Sequence, residues 1–499
     1  MKNSTIVTTK RETALIKIID EINCIIVGLR PSDYDKLKDK FSPYAPNYRF
    51  TTKYKLGIWD GKIPFFSKAG KTYIKLLPEI IPLLKKWGYT LKLEDNRQSF
   101  ILEFDLIDKY YFVDEGIELG DHQVEGVNAA LQANGGILLM GTGAGKSIAA
   151  ACLCKIYTEK YNLKAIMIVP NTDLIGQGKE DFENLGLDVG EYSGDVKDLN
   201  HPIVISTWQA LQNNPQVMSL FQISITDECH GVTGKQLQML LNDAGSHLLV
   251  RIGLTGTLPE EEVDRMAVRV TLGDPVFSIS SKELIDLGWL AKPEIEIIEL
   301  VEEFETEYSV YKFENPDDKI SYRDFTKLIF ADYDAEKKYL NKREERQEFI
   351  ADIIIESGKN EKANTLMLVN GVEIGKRYAE LIPGSIFVYA KDKKEYRRKV
   401  YKLFAEHNDV VVIATAQLAS TGLNIPRIFH LVLVDIGKSY IKVIQAIGRG
   451  LRKAKDKDSV VIIDICSTLK YSNDHKNKRI SHYKKHEYPF KKTKIKYRT

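Results

Sequence analysis

Cysteine is scarce in this chain. Its five residues, Cys24, Cys152, Cys154, Cys229 and Cys466, include one close pair and no matching second pair. That spacing argues against a disulfide framework or a four-cysteine zinc site. Cys152 and Cys154 alternate along a helical stretch, so buried packing is expected for both. Long apolar runs are also missing: none approaches the roughly 18 residues of a membrane span, and the N-terminal segment has no signal-peptide core. The expected setting is the cytoplasm, without membrane contact. Internal repeats and low-complexity stretches are absent apart from a biased C-terminal end.

Net charge is nearly absent too, with 71 Lys and Arg against 69 Asp and Glu. The balance conceals a division along the chain. Residues 1–109 carry 20 basic and 13 acidic side chains, net +7, and residues 466–499 carry 11 and 2, net +9. The middle is therefore acidic, at −14. Both basic ends are interleaved with aromatics, in the tail Tyr483, Tyr488, Phe490 and Tyr497, a pattern suited to phosphate contact and base stacking. A solvated basic end is the plainer reading of the tail. With 499 residues the chain has room for roughly three domains.

What is present in strength is a glycine loop. The apolar run Ile137 to Met140 leads into Gly141-Thr142-Gly143-Ala144-Gly145-Lys146-Ser147, and a helical stretch follows to Tyr161. Strand, glycine loop and helix are the context a phosphate-binding loop needs. Glycines let backbone N–H groups face phosphate oxygens, and the helix N-terminus adds favourable partial charge. Lys146 would reach the outer phosphates of a nucleoside triphosphate and the Ser147 hydroxyl would hold Mg²⁺. Met140 stands where the general pattern has glycine.

A second element supports the first. Phe221 to Thr226 is a β-branched apolar run ending in Asp227-Glu228-Cys229-His230, and acidic residues at such a strand end sit where open α/β sheets bind ligands. Asp227 can orient Mg²⁺, and Glu228 is placed to polarise the water that attacks a γ-phosphate. Two more strand-like runs, Ala165 to Val169 and Ile203 to Ser206, lie between the motifs and predict one parallel-sheet ATPase domain.

Over residues 118 to 455 the chain resembles superfamily 2 helicases of the DExH group, and the resemblance implies two tandem RecA-like domains that use ATP. Leu119 to Gln123 is similar to the adenine-reading motif, with Gln123 in the glutamine's place and Gly120 where Arg is frequent. Val169 to Gln177 and Ser206 to Gln209 resemble strand-contacting motifs, which makes Pro170, Asn171, Thr207 and Gln209 candidate nucleic-acid contacts. Leu254 to Thr257 resembles the motif that links the ATP site to that track. A second set of apolar strands follows at Thr365 to Val369, Ile386 to Tyr389, Val410 to Ala414, Leu431 to Val434 and Val460 to Ile465. Asn370 and Thr415, at the ends of two of them, complete the candidate track. Ala414 to Gly422 resembles a further family motif and adds Gly422 to the nucleotide site, although Leu423-Asn424 replaces its usual acidic residue. Gln445 to Arg452 resembles the arginine-finger motif, implying catalytic roles for Gln445, Arg449 and Arg452. Arg suits that task because its planar fork of donors stays charged.

The domain plan expected is α/β: a small N-terminal α+β DNA-binding module over 1–105, RecA-like domains over 106–291 and 292–467 with a helical insertion near 321–357, and a basic C-terminal tail over 468–499. In the first module, 30–41 and 78–87 are expected as helices, and 53–58, 62–66 and 71–77 as strands joined by tight turns. Its Trp59-Asp60-Gly61-Lys62 turn resembles text in UvsW-like phage helicases. That likeness implies an ATP- and Mg²⁺-dependent DNA helicase working on branched or forked DNA, in a host cytoplasm if phage-encoded. RNA–DNA hybrids as substrates, an RNA-remodelling ATPase, and a nucleotide-binding scaffold without turnover are the alternatives.

Overall fold

The computed structural model describes residues 12–97, 102–361, 363–419, 427–437 and 457–497. The chain divides into two compact units, Met1–Met140 with Gly145–Ser278, and Gly141–Ala144 with Ile279–Thr499. No described helix is long and apolar enough to cross a membrane.

The first unit opens with a four-stranded sheet. Strands β1 (Thr13–Ile18), β2 (Asn23–Val27), β3 (Lys71–Tyr73) and β4 (Thr90–Asp95) lie in the order β3-β2-β1-β4. Helices Pro31–Lys40 and Leu77–Lys86 stand where the sequence places them, each with proline in its first turn, where a missing N–H does no harm. The strands differ from expectation. Residues 53–58 and 62–66 form none: Thr52–Lys55 is a single helical turn capped by the Thr51 hydroxyl, and Lys62 makes only an isolated bridge to Tyr44. A short Lys-Tyr-Lys-Leu alternation fits a strand or a helical turn equally well, and here the Thr51 cap decides. The core of this sheet, Ile16, Leu37, Phe66 and Leu84 among others, is continuous with Val263, Ala267 and Val270 of helix Glu262–Leu272. The N-terminal sheet and the helix Glu262–Leu272 thus share one core.

Seven strands follow: β5 (Gly136–Met140), β6 (Ala165–Val169), β7 (Val189–Tyr192), β8 (Ile203–Thr207), β9 (Ile223–Asp227), β10 (Val250–Thr255) and β11 (Pro275–Ile279). They form one sheet in the order β11-β5-β10-β9-β6-β8-β7, with parallel neighbours throughout. Strands such as β6, Ala-Ile-Met-Ile-Val, are buried at every position, as parallel strands covered on both faces must be. Strand β10 is harder to see in the sequence because Arg251 and Gly253 interrupt its apolar run. Arg251 is buried and donates to the Leu248 and Gly245 carbonyls. A Cβ on Gly253 would come within 2.8 Å of the Cys229 sulfur.

The second unit carries β12 (Lys292–Leu300), β13 (Thr365–Val369), β14 (Ile386–Val388), β15 (Val411–Thr415), β16 (His430–Val434), β17 (Ser459–Ser467) and β18 (Phe490–Ile495), ordered β14-β15-β13-β16-β17-β12-β18. Between β12 and β13 lie four helices, Glu305–Glu314, Tyr322–Leu328, Tyr333–Leu340 and Glu344–Glu361. Aromatic rings of Phe304, Tyr322, Phe325, Phe330 and Tyr339 cluster among them.

The C-terminal residues are part of this unit. Lys470–Lys485 is a helix, and β18 is the edge strand beside β12. Tyr483, Tyr488 and Tyr497 are buried, so these three rings pack the protein interior and offer no face for base stacking. Arg479 is buried on β17's Asp464 through two hydrogen bonds of 2.9 and 2.8 Å, and the Tyr483 hydroxyl donates to the same carboxylate at 2.7 Å. Lys476 is buried against Glu299 at 2.8 Å. Glu336 accepts from the Tyr471 and Ser472 N–H groups at 2.9 and 2.6 Å, capping the tail helix from the inserted helices. All five cysteines are free and buried, Cys152 and Cys154 as their alternation along a helix predicts, and burial pushes the Cys24 and Cys152 thiols up to about 12.

Candidate active site

Parallel pairing brings the motif-bearing strand ends of the first unit to one edge. Thr255 of β10 pairs with Leu139 of β5, and Leu254 pairs with Asp227 of β9. Farther along, Ile168 of β6 pairs with Thr226, and Val169 pairs with Thr207 of β8. The glycine loop, the acidic pair, Thr255, Pro170 and Thr207 therefore emerge level with one another at the carboxyl edge. This is where open α/β sheets take ligands.

The loop has the backbone its glycines suggest. Gly143 and Gly145 hold φ of 86° and 83°, in the left-handed region that side chains resist. A Cβ on Gly145 would stand 2.0 Å from the Gln123 amide nitrogen. Gln123 is itself fixed, since its Oε1 accepts from the Gly120 N–H at 2.9 Å at the start of helix Asp121–Gln132. The sequence-predicted Gln123 thus lies directly against the loop. Gly145 caps helix Lys146–Lys155, whose first-turn N–H groups are free of helical partners and available to an anion. Lys146 Nζ rests 3.4 Å from the Met140 carbonyl, and Thr142 and Ser147 are half-buried. Met140, at the usual glycine position, is fully buried in the sheet and does not obstruct the loop. Gly141 donates to the Ile279 carbonyl at 3.1 Å, while a Cβ there would meet Ser281 Oγ at 2.7 Å. Ala144 is buried.

Asp227 closes β9, and Glu228 turns the chain sharply with φ of 46°, a conformation costing about 1 kcal/mol outside glycine. The turn lets the Glu228 N–H donate to Asp227 Oδ1 at 2.9 Å. Burial first, and the Glu228 charge second, push the Asp227 carboxyl up to about 6, with the Lys146 ammonium opposing them. A carboxylate so placed fits a cation, which would restore its ionised form. Among the described residues no group of three or more His, Cys, Asp or Glu could hold a metal alone. Ser147 and Asp227 remain the sequence's candidates for holding a divalent ion together with phosphate oxygens.

A contact chain the sequence did not specify leaves this pair. His230 Nδ1 lies 3.3 Å from Glu228 Oε2 and 3.1 Å from Thr255 Oγ1. Thr255 Oγ1 in turn donates to the Thr257 carbonyl at 2.9 Å. The acidic motif and the Leu254–Thr257 motif are therefore joined through one imidazole. Its only sequence signal is the histidine that ends Asp-Glu-Cys-His.

The candidate track residues divide by what their side chains already do. Gln209 is exposed and Pro170 half-buried. Asn171 caps helix Thr172–Glu183, its Oδ1 accepting from Asp173 and Leu174 at 3.0 and 3.2 Å. Thr207 is buried, and its hydroxyl accepts from the Ala210 N–H at 3.3 Å, so its side chain serves the helix rather than an outside partner. In the second unit, Asn370 donates to the Tyr333 hydroxyl at 2.9 Å and Thr415 is nearly buried at the end of β15. Gly422, Gln445, Arg449 and Arg452 lie outside the described residues.

Residues 116–260 match the family described as the Type III restriction enzyme res subunit, and residues 345–454 match the helicase conserved C-terminal domain. The chain is 27% identical over 461 residues to the ATP-dependent DNA helicase uvsW of Enterobacteria phage T4, covering 88% of each chain. It is 26% identical over 402 residues to the DNA 3'-5' translocase XPB2 of Sulfurisphaera tokodaii, covering 74% of this chain and 88% of that protein. Its fold is shared with a fragment of a putative HsdR subunit of a type I restriction enzyme from Vibrio vulnificus, at a TM-score of 0.54 and 19% identity over 77% of this chain and 73% of that one. With tandem parallel sheets, helicase families matched in both halves and a helicase relative along most of its length, the chain is a superfamily 2 helicase resembling the UvsW type.

Proposed function

We propose that this helicase is an ATP- and Mg²⁺-dependent DNA motor that unwinds and branch-migrates forked or branched replication and recombination intermediates. One observation carries the reading: Gln123, the Gly141–Ser147 loop, Asp227, Glu228 and Thr255 occupy a single sheet edge in a chain whose relative along 88% of its length is a DNA helicase. In this reading the loop N–H groups and Lys146 hold the triphosphate, and Gln123 selects the base. Mg²⁺ on Ser147 and Asp227 would neutralise phosphate charge. Glu228 orients the attacking water and takes its proton. Gln445, Arg449, Arg452 and Gly422 are assigned to the same triphosphate on their sequence pattern. Pro170, Asn171, Gln209, Asn370 and the backbone at Thr207 and Thr415 are assigned to the strand. The basic first hundred residues are assigned to duplex or branched DNA.

His230 and Thr255 supply the coupling. A change at Glu228 on phosphate release is felt at Thr255, and thence at the edge where β6 and β8 end. The test measures ATP hydrolysis with single-stranded DNA, forked DNA, four-way junctions, RNA duplexes and RNA–DNA hybrids. Stimulation strongest with branched DNA supports the reading. Stimulation by RNA duplexes alone would replace it with an RNA-remodelling ATPase, and hydrolysis indifferent to every nucleic acid would remove the motor role.

A further inference from the structure

Residues 45–61 form a loop whose composition is out of place on a solvated surface. Its neck is closed by the antiparallel bridge between Tyr44 and Lys62, with Ala45 donating to the Gly61 carbonyl at 2.8 Å and Ile63 to that of Pro43 at 2.9 Å. Below the neck, Phe41, Phe65 and Phe66 are anchored in the N-terminal core. Above it, Phe50, Leu56 and Ile58 are 77%, 66% and 71% exposed, and every residue from Thr52 to Ile58 is exposed. Large apolar side chains gathered at a loop tip mark an interaction site.

Two features choose the partner. The loop is built around a stack of rings, Tyr44 on Tyr48 at 4.5 Å and Tyr54 edge-on to Tyr48 at 4.8 Å. Gly61, at φ of 81°, permits that stack, because a Cβ there would stand 2.4 Å from the Tyr48 ring. The tip is also cationic. Arg49 lies over the Tyr48 ring, Lys53 and Lys55 make no ion pair among the described residues, and Asp60 is the loop's only acid. Lys62, at the neck, is paired with Asp39 and covers Tyr44. Flat aromatic and apolar surfaces beside unpaired cations match bases flanked by phosphates.

We propose that this loop is a strand-separation pin, with Phe50 and Ile58 abutting the base pair at a duplex–single-strand junction and Arg49, Lys53 and Lys55 on its phosphates. The proposal rests on the DNA-motor reading above and assigns a specific wedge to it. The pin is closed at its neck by backbone hydrogen bonds and carries exposed apolar side chains above it, as a wedge between base pairs requires. It accounts for exposed apolar surface that the folding of the chain leaves unused.

The experiment uses the full chain and a forked DNA carrying 2-aminopurine at the junction pair. Phe50→Ala/Ile58→Ala and Lys53→Ala/Lys55→Ala are compared with the unsubstituted protein. All four positions are exposed, so thermal midpoints should not move. The unsubstituted chain should raise 2-aminopurine fluorescence on binding without ATP. Phe50→Ala/Ile58→Ala should abolish the rise and slow fork unwinding about ten-fold, the effect of one lost stack, while leaving hydrolysis stimulated by single-stranded DNA unchanged. The lysine pair should lower the salt dependence of fork affinity by about 1.8 logarithmic units per decade. Unwinding and fluorescence unchanged in Phe50→Ala/Ile58→Ala would overturn the pin and leave the motor standing. Binding of the loop to phosphatidylserine vesicles, lost in the same variant while fork unwinding persists, would reassign it to a membrane surface. No stimulation of the unsubstituted chain by DNA would overturn pin and motor together.

Discussion

Replacing Arg479 by Met tests whether the C-terminal tail is structural. Arg479 and Asp464 are both essentially inaccessible to solvent, and the guanidinium fills both carboxylate oxygens and also donates to the Ile436 carbonyl. In Arg479→Met the Asp464 carboxylate keeps one partner, the Tyr483 hydroxyl at 2.7 Å, and remains buried. Removing one member of a buried pair costs about 3–5 kcal/mol. Against a domain stability of roughly 5–15 kcal/mol, this is a large fraction. At about 2–4 °C per kcal/mol for a domain of this size, the second unit should melt roughly 6–20 °C lower. Circular dichroism would follow the melt, and hydrogen exchange along β17 would localise it. Lys491→Ala is the control: it breaks an ion pair whose lysine is 71% exposed and should be nearly neutral. Asp464→Leu/Arg479→Met should recover much of the loss, because the uncompensated charge is gone. If Arg479→Met melts with Lys491→Ala, the tail is an appendage and the burial argument fails.

The remaining predictions concern the nucleotide site. Lys146→Ala should lose ATP affinity and turnover together, whereas Glu228→Gln should bind ATP normally and stall hydrolysis; equal, near-normal rates in both would refute the assignment. Gly145→Ala places a methyl against Gln123 at a φ of 83°, so nucleotide binding should weaken by about ten-fold or more, read by titration with a fluorescent ATP analogue. Unchanged affinity would mean the loop is not the phosphate cradle. Arg449→Ala or Arg452→Ala should suppress DNA-stimulated hydrolysis by about 10³-fold or more with nucleotide binding retained, and full activity in either would remove that arginine from the finger role.

The parallel-sheet core was legible in the sequence because its strands are continuous runs of β-branched and aliphatic residues. Ala165–Val169 and Thr365–Val369 have the observed boundaries at both ends. The strand, glycine loop and helix were legible for a related reason: the left-handed turns at Gly143 and Gly145 demand glycine at those positions, and that demand is local. Where long-range packing set the structure, the sequence was silent or ambiguous. Strand β10 is broken in the sequence by Arg251 and Gly253, which only make sense once the Leu248 carbonyl and Cys229 are beside them. The strands expected at 53–58 and 62–66 rested on a short alternation, and the structure resolves it into a capped turn and an exposed loop. The His230–Thr255 contact joins residues far apart in the chain and has no local signature.

The tail shows the same division in its clearest form. From sequence its charge reads as solvated, because Lys and Arg usually face water and their partners are not adjacent. Glu299 and the inserted helix bearing Glu336 lie far upstream in the chain, and Asp464 lies on β17 just before the tail helix; only folding brings all three against it. The sequence by itself determined the helicase family and the tandem parallel sheets, since both follow from local residue pattern. The tertiary structure alone decided which charges are buried, which aromatics are core and which apolar side chains remain at the surface, because burial is a property of contacts between distant segments.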